Sequence, residues 1–254
     1  MNKTLKAGLI ERIKREIDPS LLIVPQTTPV VFFGDYVKAN VCTVSINPSF
    51  NEFLSGSTLL SGASARLCSR AELGIDKENH RKLTDDEAEK VLEGCINYFK
   101  KNPYKKWFDP FDDLIKRLSN GKYSYYNDTC VHLDLAQWAT NKIWTYLSEG
   151  VQGKHLSNDK DTFKLLLDGN NFETMFLNGS TVLKSVCASL GVSLVEEKTS
   201  ERFGEKKMPL NVFHGEYVNE NSHKIKIVGW NLYLQYNVKD SADIDRFSRT
   251  IKGV

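Results

Sequence analysis

Asn40-Val41-Cys42-Thr43-Val44-Ser45-Ile46-Asn47-Pro48-Ser49-Phe50-Asn51-Glu52-Phe53 is the stretch from which the rest of the chain is read. Val41 to Ile46 is short, rich in β-branched residues and flanked by polar ones, the pattern of a buried strand in an α/β sheet. Asn47-Pro48-Ser49 ends that strand, because proline fixes its own φ, donates no hydrogen bond and turns the preceding residue away from helix. A polar side chain is thereby held at the carboxyl end of a central strand, the edge where open α/β sheets bind ligands. The same triplet also reads as an Asx turn closing a strand.

Working outward, Cys130 to Leu135 predicts a second strand with Asp134 near its carboxyl end. A carboxylate there needs a partner or water, because an unpaired buried charge costs several kcal/mol. Asp134 is therefore a candidate functional group; it equally reads as the cap of a following helix with Gln137 and Trp138 in its first turns. Thr174 to Leu177 predicts a third strand ending in Asn178-Gly179, and Ser180 opens a helix that Gly191 stops. A strand, glycine, serine, helix junction can present backbone N–H groups to a phosphate, and it is also a common way of joining strand to helix. Lys224 to Val228 predicts the last main strand, leading into Gly229-Trp230-Asn231-Leu232-Tyr233-Leu234-Gln235. Val192 to Val195 reads as a further strand and Glu196 to Lys207 as a charged loop or hairpin.

Leu5 to Ile17 predicts an amphipathic helix on the outside of the sheet, closed by Pro19. Thr84-Asp85-Asp86-Glu87 has the form of a capping box. Asp109-Pro110 matches an N-cap with proline at the first helical position, opening Phe111 to Leu118, which Asn120-Gly121 ends. Asp161 to Leu167 and Ser241 to Ile251 predict two more helices. The expected fold is α/β: one three-layer domain over residues 1–254 with a central, mostly parallel four-stranded sheet flanked by helices. It carries an N-terminal helix at about 3–17 and a helical insertion at about 76–126.

Composition narrows the function classes without choosing one. The chain has 254 residues, 41% hydrophobic and 26% charged, ordinary for a globular protein. With 34 basic and 32 acidic side chains the formal charge is +2, so contact with phosphates must come from a local patch rather than a global basic field. No run of about 18 apolar residues occurs and the first residues lack the apolar core of a signal peptide, which predicts a cytoplasmic protein without a membrane partner. The five cysteines, at 42, 68, 95, 130 and 187, are scattered without a Cys-x-x-Cys pair, so neither an iron–sulfur cluster nor a disulfide framework is expected. The histidines at 80, 132, 155, 214 and 223 show no metal-ligand spacing, and no metal or cofactor is expected. Ser55 to Leu73 is hydroxyl-rich and carries Arg66 and Arg70; it can approach a phosphate backbone or serve as a surface loop. Lys100, Lys101, Lys105 and Lys106, interleaved with Tyr104 and Trp107, suit a nucleic-acid strand but read foremost as a solvated helix end.

Ser45-Ile46-Asn47-Pro48-Ser49 resembles the first motif of the uracil-DNA glycosylase superfamily, which in its mismatch-specific branch reads Gly-x-Asn-Pro-Gly after the first strand. The run Pro29 to Asn40 resembles the lead-in of relatives in that superfamily, and the likeness extends from Pro29 to the C-terminus, with Asp76 to Tyr126 the least matched part. The resemblance implies a monofunctional DNA glycosylase, acting as a monomer on DNA, that hydrolyses the N-glycosidic bond of a base rotated out of the helix. Asn47 would position the water and, with Asn231, form the catalytic set. Asp134 would stand where uracil-specific relatives carry an asparagine that reads the base edge, with Gln137 and Phe53 also against the base. An ionised aspartate only accepts hydrogen bonds, so it suits the exocyclic amine of a cytosine and opposes uracil's O4. A modified cytosine is therefore expected, such as one in bacteriophage DNA, with a role in defence. Ser49, Ser180, Arg66 and Arg70 would hold DNA. Relatives usually carry His-Pro-Ser-Pro after the last strand; here Asn231 replaces the histidine and Leu232 the duplex wedge. That departure leaves two further readings open, a catalytically silent DNA-binding member and a hydrolase of free nucleosides or nucleotides.

Overall fold

The computed structural model describes residues 1–77 and 79–254. In chain order its regular elements begin with α1 (Lys3–Ile13), β1 (Val41–Ser45), β2 (Leu54–Ser55), β3 (Thr58–Leu59), α2 (Asp85–Ile96), α3 (Lys105–Leu118) and β4 (Cys130–Asp134). They continue with α4 (Glu149–Asp168), β5 (Thr174–Asn178), α5 (Ser180–Leu190), β6 (Val195–Phe203), β7 (Met208–Val218), β8 (Lys224–Trp230), α6 (Leu234–Asn237) and α7 (Ser241–Lys252). These elements fall into two compact units interleaved in sequence: residues 1–37, 46–104 and 133–169 form the first, and residues 38–45, 105–132 and 170–254 the second.

The sheet has six strands in the order β4-β1-β5-β8-β7-β6. β5 pairs parallel with both β1 and β8. β4 runs alongside β1 in the same direction: Asn40 N–H reaches the Thr129 carbonyl (2.9 Å) at one end of the pair and Ala136 N–H the Ile46 carbonyl (2.9 Å) at the other. The four expected strands are thus present and adjacent. The sheet then continues past them, because β7 pairs antiparallel with β8, and β6 with β7. Of the two readings of Glu196 to Lys207 the hairpin holds: most of the segment is strand, and Gly204 (φ 72°) and Lys207 (φ 47°) make the turn of a long hairpin.

Within the second unit the two faces of the sheet can be told from consecutive residues of β8, since side chains alternate across a strand. A Cβ on Gly229 would meet the Leu183 side chain of α5 at 2.5 Å, so α5 lies close against that face. Trp230, on the opposite face, stacks edge-on against Phe111 of α3 and Phe247 of α7, with ring centroids 6.0 and 5.8 Å apart. Helix, sheet and helix therefore form three layers. α3 starts at Lys105, earlier than expected, and contains Pro110 in its second turn. The apolar positions Phe108, Phe111, Leu114 and Ile115 are all buried and keep helical spacing through the proline. Its C-terminus follows expectation: Asn120 (φ 53°) and Gly121 (φ 83°) turn left-handed, and Gly121 N–H closes on the Lys116 carbonyl.

In the first unit, α1 ends at Ile13 and packs its Leu5, Leu9, Ile10 and Ile13 against α2 and α4. Its Arg12 is buried and pairs with buried Asp159 of α4 at 2.6 Å, lying over the Trp138 ring. The α2 capping box forms as the sequence predicts, Thr84 and Glu87 exchanging side-chain to backbone hydrogen bonds. α4 begins at Glu149, capped by Ser148, twelve residues ahead of the expected start.

Candidate active site

Asn47 and Asp134 both belong to the first unit and leave neighbouring strands, with the Ile46 carbonyl accepting from Ala136 N–H. The half-buried Asn47 amide donates from Nδ2 to the Pro48 carbonyl (3.0 Å) and to Thr140 Oγ1 (3.2 Å). A carbonyl can only accept, so the amide is oriented with nitrogen toward these two atoms. Thr140 gives its own proton to the Lys142 carbonyl (2.7 Å), which leaves its oxygen to receive from Asn47. Asn47 Oδ1 is thereby held as a fixed acceptor with no partner among the described residues.

Asp134, 1% exposed, is the last residue of β4. No helix follows it within Leu135 to Thr140, so capping is not its role. That segment lies instead against residues 22–30: Val24 and Val30 N–H groups donate to the Ala139 and Gln137 carbonyls, and Asn141 N–H to the Leu22 carbonyl. Gln137 N–H is taken by Asp159 Oδ2 (2.7 Å), the same carboxylate that holds Arg12. The Gln137 side chain is fully buried, and among the described residues both ends of its amide lack a hydrogen-bond partner, whereas the same residue's N–H and carbonyl are tied down. A buried, unsatisfied amide costs on the order of 1–3 kcal/mol per group and calls for a ligand or solvent to complete it. Phe53 is buried as well.

Two residues of this site were not among the expected ones. Thr140 orients Asn47, as described. Glu52, 2% exposed, lies in the turn Phe50–Glu52 after the Asn-Pro motif and accepts on Oε2 from the Tyr98 hydroxyl (2.6 Å). Tyr98's oxygen in turn accepts from Tyr104 N–H (2.8 Å). Burial pushes the Glu52 carboxyl up to about 8; the Tyr98 hydrogen bond and the Arg66 charge oppose the rise, and the Asp134 charge adds to it. A carboxyl group in the aromatic run Phe50-Asn51-Glu52-Phe53 was the available signal.

The residues expected to hold DNA divide. Ser49 caps the Phe50–Glu52 turn, accepting from Asn51 N–H. Arg66 lies 5.3 Å over the Tyr104 ring, and its Nε is buried with no partner among the described residues. Arg70 is buried and donates to the Asn79 and Arg81 carbonyls (3.1 and 2.7 Å), so it staples its own loop and does not present its charge to a phosphate. In the second unit, Ser180 is exposed in the first turn of α5 and donates to the Asn231 carbonyl (2.9 Å). The preceding Gly179 has φ 104°, and a Cβ there would meet the Tyr233 ring at 2.8 Å. Asn231 is engaged at both ends: Oδ1 accepts from Asn211 N–H (2.8 Å) and Nδ2 donates to the Pro209 carbonyl (3.0 Å), fastening the end of β8 to β7. Leu232 is 7% exposed and does not project as a wedge would.

Among the described residues no group of three or more His, Cys, Asp or Glu is placed to hold a metal ion, and the five cysteines are free thiols. No described helix is long and apolar enough to cross a membrane. No protein-family model matches the chain, and no curated protein matches it either.

Proposed function

We propose that the chain is a DNA glycosylase that hydrolyses the N-glycosidic bond of a flipped-out, cytosine-type base, with a modified cytosine of foreign DNA as target. The observation that carries this reading is the fixed Asn47 amide with Oδ1 left as acceptor, just past the end of the strand next to the one that ends in the buried Asp134. Breaking the bond builds positive charge on the sugar and negative charge on the base. Asn47 Oδ1 would accept a hydrogen bond from the incoming water and align it as the sugar cation forms, a positioning role for which an amide is suited although it is too weak to act as an early base. Asp134 would accept from the exocyclic amine, and the unsatisfied Gln137 amide would complete the ring edge. Ser49 and Arg66 remain the candidates for DNA contact in this unit, and Ser180 in the other.

One observation favours a second reading, a catalytically silent DNA-binding protein: the Asn231 side chain, expected on the departing base, is fully engaged with β7. Incubating the protein with duplexes carrying uracil, thymine mismatches, and plain or hypermodified cytosine, then cleaving abasic sites with alkali, separates the two. Release from a cytosine-type base supports the glycosylase. Release from uracil alone overturns the role given to Asp134, and salt-dependent binding without release supports the silent protein.

A further inference from the structure

With Asn231 engaged, the proposed reaction lacks a group for the departing base, and the first unit contains a buried acid that the reading above does not use. We propose that Glu52 is the general acid that protonates the leaving base, an inference that rests on the glycosylase reading. Glu52 follows Asn47 by one short turn, in the same loop as Ser49 and Phe53. The Tyr98 oxygen already accepts from Tyr104 N–H, so the hydroxyl proton is directed at Glu52 Oε2. The carboxyl's own proton therefore belongs on Oε1, which has no hydrogen-bond partner among the described residues and is the atom able to donate. The charged and titratable groups facing Glu52 are Tyr98 from the Tyr98–Lys100 turn, Arg66 from the segment after Gly62–Ser64, and Asp134 from the end of β4. Glu52, its carboxyl raised by burial, is the member of this site that holds a proton at pH 7.

The step balances without a co-reactant. The bond between C1′ and N1 breaks and its electron pair goes to the base, while the proton of Glu52 Oε1 passes to the pyrimidine O2, so that the base departs neutral. The water held by Asn47 forms the new bond to C1′ and gives up a proton, which returns to the Glu52 carboxylate.

Single-turnover base release from a duplex carrying hypermodified cytosine, followed from pH 5.5 to 9.5, tests the assignment. The wild-type rate should fall about tenfold per pH unit above about 8. Glu52→Gln keeps an acceptor for the Tyr98 hydroxyl; it should lower the rate constant about 10²- to 10⁴-fold, leave KM unchanged and abolish the falling limb. A cytosine bearing an electron-withdrawing 5-fluoro group, which needs less protonation to depart, should restore part of the rate of Glu52→Gln. Tyr98→Phe removes a bond that favours the ionised carboxylate and should move the limb to higher pH. A Glu52→Gln protein with the wild-type rate or limb, or a Tyr98→Phe protein with an unmoved limb, overturns the assignment while leaving the glycosylase intact. Absence of release by the wild-type protein from every base overturns the glycosylase reading, and this assignment with it.

Discussion

Asp134 and Glu52 are both buried carboxyls, and what separates them is what each has nearby. Asp134→Asn replaces an obligatory acceptor by a group that can also donate, so it should move the preference for released base from cytosine toward uracil by tenfold or more, the size of one good polar contact to a base edge; competition between the two bases in one duplex mixture measures the ratio. Glu52 adds a pH dependence of stability whose sign is fixed. Its carboxyl rises from an ordinary value near 4.5 to about 8 in the folded chain, so the contribution is complete below pH 4.5 and is lost as pH climbs from 4.5 to 8. The loss should run at up to about 1.4 kcal/mol per pH unit. Urea unfolding at several pH values in this window should show a shallower decline for Glu52→Gln than for wild type, and parallel declines would contradict the burial argument. Asn47 and Asp134 were legible in the sequence because β-branched runs followed by polar punctuation mark strand ends. Glu52 was not, because its burial depends on Tyr98, 46 residues further along the chain.

At the scale of elements, the parallel strands could be read, whereas the antiparallel addition could be read only as a short strand and a charged loop or hairpin, without its second strand. β1, β4, β5 and β8 are short apolar runs, whereas β6 alternates between exposed and half-buried residues and is charged along most of its length. With no apolar face its period-two signal vanishes, and only pairing to β7 reveals it. That omission also explains Asn231, whose partners Asn211 and Pro209 lie on the unrecognised β7. α1 was legible as a helix, but its partners were not, because an apolar stripe does not say whether it faces a sheet or other helices. The buried pair between Arg12 and Asp159 ties α1 to α4 and reaches the Gln137 N–H. Asp159→Ala should therefore cost about 3–5 kcal/mol, since it strands a buried guanidinium and a backbone donor together. Chemical denaturation measures this, and a loss under 1 kcal/mol would show the pair to be dispensable.

For the whole molecule, a formal charge of +2 leaves no long-range field to gather DNA, so under the proposed glycosylase function recognition would have to come from local contacts and the chemistry from the few side chains fixed beside Asn47. The most direct test compares base release by wild type and Asn47→Ala on a duplex with hypermodified cytosine, with urea unfolding run in parallel. The half-buried Asn47 gives up one side-chain bond to Thr140 and one to its neighbouring carbonyl, a loss of about 1 kcal/mol in stability. Release should nevertheless fall by about 10²-fold or more, as when a positioned polar group is removed from a reacting centre. Equal release by the two proteins would contradict the account.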